Sequence, residues 1–98
     1  MSFPISDYDK AIAALRATVA DRDANGRNET NDFYNQFPHG NQDLTFELAR
    51  RVQRILGAEK LGKLDVVYND TLDLANYAIF SMMLLKRNLP AFDSIEHL

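Results

Sequence analysis

The chain has 98 residues, 46% of them hydrophobic and 26% charged, with no cysteine and a formal net charge of −3. That length is one domain, residues 1–98, and the near-average composition excludes collagen-like repeats, long disorder and a disulfide scaffold. The acidic balance argues against a general nucleic-acid binder, which needs a basic face to release counterions, but leaves small anionic ligands open.

A domain this small buries only about 60 to 68% of its unfolded surface, which favours self-association. Asp7, Asp9 and Lys10 interrupt the stretch where a secretory leader needs an apolar core. The longest uncharged stretch, Leu74 to Leu85, includes Asn76 and Ser81 and is shorter than the roughly 20 apolar residues of a membrane span. The expectation is a cytoplasmic protein that does not enter a membrane.

The first predicted helix opens at Ser6, with Asp9 three residues on, and carries Ile12, Leu15 and Val19 at helical spacing. Asn25-Gly26 is a turn signal, so it should end near Arg22. Residues 23–43 follow as a polar loop. Its aromatics Phe33, Tyr34 and Phe37 predict an ordered, partly packed segment, with Pro38-His39-Gly40 as a turn.

The second helix starts after Asn41 or Asp43. A helical wheel gathers Leu44, Leu48, Val52, Ile55 and Leu56 on one arc, with Glu47, Arg50, Arg51 and Arg54 on its flank. Gly57 or Gly62 stops it. The third helix runs from Lys63 or Leu64 to Asn88, with Pro90 ending it. Apolar nearly all round, it should be central in its bundle, with Met82-Met83 as core filling or an oligomer seam. Residues 91–98 form a tail that can dock through Phe92 and Ile95. No β-alternation of useful length occurs. The fold class is all-α, a small bundle of three main helices completed by oligomerisation.

Two clusters can carry chemistry. Asp70, Asp73 and Tyr77 lie at i, i+3 and i+7, on one face of an otherwise apolar helix. A buried carboxylate needs a cation. Asp70 and Asp73 therefore either hold a hard metal ion such as magnesium or form salt bridges to the arginines of the second helix. Those arginines, in turn, are either a solvated salt-bridged face or a cradle for a triphosphate. His39 reads as a turn residue rather than a ligand.

The run from Asn69 to Ile79, with Asp70, Asp73, Asn76 and Tyr77 inside it, closely resembles a segment of small bacterial and phage proteins related to the MazG-like all-α nucleotide pyrophosphohydrolases. Those with the nucleotide-modification-associated domain are the nearest match. Phe33 to Gly40 and Leu48 to Ile55 also look similar, with Arg51 and Arg54 at the family's basic positions, so the resemblance spans roughly residues 25–86. It implies a dimeric or tetrameric bundle with a nucleotide site between helices. Magnesium would bridge the triphosphate and activate water for attack at the α–β linkage.

Asp70-x-x-Asp73 resembles the family's second metal motif, with Asp replacing Glu. The resemblance further implies Glu47 as an assisting carboxylate or base, Arg51, Arg54 and Lys63 as phosphate clamps, and Asn76 and Tyr77 as base or sugar contacts. The family's Glu-Glu-x-x-Glu is absent, and Arg50 stands where the related segment has an acid. Two functions follow. One is a nucleotide-binding protein or magnesium-dependent (deoxy)nucleoside triphosphate pyrophosphohydrolase. The other is a non-catalytic helical interaction protein with a protein partner, such as a small phage-encoded inhibitor of a host system.

Overall fold

The computed structural model describes residues 2–24 and 33–89. Helix α1 spans Ile5–Ala24, a 3-10 turn spans Phe33–Gln36, α2 spans Asn41–Lys60 and α3 spans Leu64–Asn88. The all-α expectation holds, with three main helices and no strand among the described residues. None of these helices is long and apolar enough to cross a membrane. The Asn25-Gly26 turn and the 91–98 tail, with Phe92, Ile95 and His97, lie outside the described residues. The chain divides into two compact units, residues 1–33 and 34–98.

In the first unit, α1 begins at Ile5, two residues before the start that an N-cap at Ser6 would set. Proline has no N–H to leave unsatisfied and its φ is preset, so a helix can start directly beside it. The Pro4 carbonyl accepts the N–H groups of Asp7 and Tyr8 at 3.1 and 3.2 Å. Phe3 packs edge-to-face on Tyr8 with ring centroids 5.9 Å apart, an apolar staple across the first turn. The helix then continues two residues past Arg22 to Ala24.

In the second unit, the expected turn before α2 is present. Gly40 caps the helix with φ 67°, and the carboxylate of Asp43 reaches back to accept the His39 N–H at 3.1 Å. The loop aromatics are partly packed, as expected. The Arg87 guanidinium lies 4.3 Å from the centroid of the Tyr34 ring, a cation–π contact between this segment and the end of α3.

Gly57 does not stop α2. The stop is Gly62, with φ 67°. Its N–H donates to the Glu59 carbonyl and the Lys63 N–H to the Ala58 carbonyl, both at 3.1 Å. These two bonds form a Schellman closure, which needs a left-handed residue between them and so favours glycine. Three residues then connect α2 to α3, making an antiparallel hairpin. Helix α3 ends at Asn88, before an extended Leu89, the backbone that a following proline favours.

The hairpin contact differs from the arc read on the wheel. Val52 and Leu56 are exposed, while Leu44 and Ala58 are buried and Leu48, Arg51 and Ile55 are half-buried. The inner line of α2 is therefore Leu44, Leu48, Arg51, Ile55 and Ala58, alternating four and three residues apart. Arg51 sits in that line and not on its flank. On α3 the line is Val66, Asp70, Asp73, Tyr77, Phe80 and Leu84. Apolar ends thus enclose a charged middle layer. Within the second unit α3 buries one line against α2, and Leu64, Tyr68 and Met82, opposite this line, are 75, 61 and 59% exposed. Met82 is accordingly not core filling.

Candidate functional site

Asp70 is the most deeply placed charge, 3% exposed. Its Oδ1 lies 3.3 Å from Arg51 Nη1 and 3.4 Å from Arg54 Nε. The same Arg51 nitrogen lies 3.4 Å from Asp73 Oδ2. One guanidinium nitrogen therefore bridges the two carboxylates. These contacts are longer than the 2.7–2.9 Å of tight charge-assisted bonds. Arg54 approaches from the rim with half its side chain in solvent.

Arg51 is held fully charged. Burial works against its cation, but the Tyr77 side chain, then Asp73 and Asp70, outweigh that and raise its pKa above the ordinary arginine value. Its guanidinium carbon lies 5.4 Å from the centroid of the Tyr77 ring, and Tyr77 packs edge-to-face on Phe80. Two polar atoms in the layer, Arg51 Nε and Asp70 Oδ2, are buried without a hydrogen-bond partner.

The structure brings together Arg51, Arg54, Asp70, Asp73 and Tyr77 from the residues expected to form a site. Glu47 lies 3.9 Å from Arg50 along its own helix. Lys63 is exposed in the α2–α3 connection, about two helical turns before Asp70. Asn76 is buried, 2% exposed, and sits about 100° around α3 from Tyr77, so it is not open to a base or sugar. His39 is exposed in its turn.

As arranged, the donor set does not fit magnesium. A guanidinium occupies the interval between the two carboxylates, and among the described residues no three Asp, Glu or His side chains converge as a cation site. A magnesium ion takes near-octahedral oxygen ligands, and here only Asp70 Oδ2 is a carboxylate oxygen buried without a partner.

Sequence reasoning missed a second polar contact. The Ser81 hydroxyl donates to Asn41 Oδ1, tying the start of α2 to the later part of α3. The four-and-three spacing that includes Arg51 between Leu48 and Ile55 was the signal for its inward position, since strict alternation marks a helix–helix seam better than a broad arc does. No protein-family model matches the chain, and comparison with curated proteins and with solved structures returns no match.

Proposed function

We propose that the charged layer binds the phosphates of a nucleotide, and that the chain is a nucleotide-binding relative of the MazG-like helical pyrophosphohydrolases. The pair of buried, unpartnered atoms, Arg51 Nε and Asp70 Oδ2, carries this reading. A charged layer between helices suffers a desolvation penalty, and well-packed apolar residues of similar volume are often as stabilising or more so. A buried layer that keeps a spare donor and a spare acceptor suits a polar ligand. Arg54 uses Nε on Asp70, and its half-exposed fork offers terminal nitrogens for bidentate phosphate recognition.

Hydrolysis to monophosphate and pyrophosphate is a separate step. The bridged pair Asp70 and Asp73 does not by itself supply a metal site for it. The test is a thermal-shift panel of nucleoside triphosphates, with and without magnesium, on the wild type, Arg54→Ala and Asp73→Asn. A ligand at 100 times its Kd stabilises a fold by about 2.7 kcal/mol. The expected result is a shift without magnesium that Arg54→Ala abolishes. A shift that requires magnesium and is lost in Asp73→Asn would establish the metal-dependent form and lead to a pyrophosphate-release assay. No shift with any nucleotide would retire the reading.

A second reading, a non-catalytic helical interaction protein, is favoured by Arg51 lying within 3.4 Å of both carboxylates. In that case the layer fixes the register of the hairpin, as buried polar groups do in coiled coils. Indifference to every nucleotide, with the fold intact, supports it.

A further inference from the structure

The side of α3 turned away from α2 carries its own pattern. Leu64, Tyr68, Thr71, Ala75, Ala78 and Met82 follow one another at spacings of four, three, four, three and four. The alternation continues to Leu85, three residues before the helix ends at Asn88. An average of 3.5 residues keeps such a stripe nearly parallel to the helix axis, which is the condition for a coiled-coil seam. The inner line of α3, from Val66 to Leu84, has the same alternation, so this helix carries two seams on opposite sides. Helix α2 covers the inner one. Leu64, Tyr68 and Met82 of the outer one are 75, 61 and 59% exposed, Thr71 and Ala78 are exposed between them, and Ala75 and Leu85 are half-buried.

We propose that this outer seam packs against the same seam of a second copy, with the two α3 helices antiparallel about a two-fold axis near residues 76 and 77. An isologous contact must place each seam residue against a complementary one in the partner. The antiparallel arrangement sets Ala75 against the partner's Ala78, Thr71 against the partner's Met82 and Tyr68 against the partner's Leu85. The small residues at the centre let the helix axes approach closely, and the larger ones close the ends.

Charge chooses both the occupant and the direction. On the flank of the seam, Asp65, Leu72, Ile79 and Lys86 recur every seven residues. Flanking positions of the same type meet in antiparallel pairs. Asp65 therefore faces the partner's Lys86, twice by symmetry, and Leu72 faces the partner's Ile79. Asp65 and Lys86 are both exposed. A parallel pair would set this flank against the other one, Val67, Leu74 and Ser81, and would form no opposite-charge contact. The antiparallel arrangement also opposes the two helix dipoles. This proposal does not depend on the nucleotide reading.

Sedimentation or light scattering over a range of protein concentrations tests it. The expected species is a dimer. Ala78→Glu, a good helix former at an exposed position, should give a monomer with unchanged helical circular dichroism. Asp65→Lys should raise the dimer Kd about fivefold, and adding Lys86→Asp should restore it.

Orientation is read by cross-linking, which the absence of native cysteine makes clean. A mixture of Thr71→Cys and Met82→Cys proteins should form a disulfide between the two variants and not within either one. In the antiparallel dimer two copies of position 71 stand about 16 Å apart along the axis. A monomer at every concentration, a dimer unaffected by Ala78→Glu, or each variant cross-linking to itself overturns the proposal.

Discussion

Arg51 and Asp70 meet at 3.3 Å across the α2–α3 contact, each in the line of residues where a helical hairpin ordinarily places aliphatic side chains. Asp70, beside Arg51 and Arg54, is the deeper of the two carboxylates in this layer, and Asp73, beside Arg51, is more open to solvent.

Removing the deeper carboxylate should therefore be the more damaging change. Asp70→Ala leaves Arg51 buried with Asp73 as its one remaining carboxylate and should destabilise the hairpin by about 3–5 kcal/mol. Asp73→Asn keeps a polar group at the edge of the layer and should cost about 1 kcal/mol. Urea midpoints of the two variants test the order. Equal losses would contradict the placement of Asp70 at the centre.

Two glycines in one stretch of chain should respond in opposite directions. Gly62 has φ 67°, where an added Cβ is strained, so Gly62→Ala should destabilise by about 1–2 kcal/mol. Gly57 lies inside α2, and nothing lies within 4 Å of a Cβ built there. Gly57→Ala should stabilise by about 0.5–1 kcal/mol through helix propensity alone. Thermal midpoints of the two variants, on either side of the wild type, are the expected outcome.

The pH dependence of the arginine follows from its raised pKa. A cation whose folded pKa is raised contributes stability that is fully present below its unfolded value and is lost only as pH climbs through the folded one. For Arg51 both lie far above the neutral range. The stability difference between wild type and Arg51→Met should therefore be flat from about pH 6 to about pH 10. A slope in that window would mean that another group titrates against this guanidinium.

Tyr34 tests the attachment of the segment before α2. Its ring carries the Arg87 guanidinium, a contact of about 0.5–1 kcal/mol where exposed. Tyr34→Leu should speed amide exchange around residues 33–36, while Tyr34→Phe, which keeps the ring face, should not.

Much of the fold was legible in the sequence because its signals are local. Gly62 and Pro90 are strong stops, and the borders of α3 came directly from them. Gly57 misled because one glycine inside a long helix costs only about 1 kcal/mol, too little to break it. The site was half legible. Asp70, Asp73 and Tyr77 share a face by spacing alone, but which cation they meet depends on the rotation of α2. A wheel that weights Val52 and Leu56 as core turns Arg51 outward. The hairpin instead places Ala58 inside and leaves Val52 and Leu56 exposed, a choice made by packing and by the carboxylates opposite.

The three-residue connection closed at Gly62 also has a kinetic consequence. Arg51 and Asp70 are only 19 positions apart in sequence, and the hairpin's other tertiary contacts extend outward from the same bend. Little chain entropy is lost in bringing such near neighbours together, and folds dominated by local contacts form in microseconds to milliseconds. The hairpin should zip from the bend, with its charged layer assembled before the ends of the two helices meet.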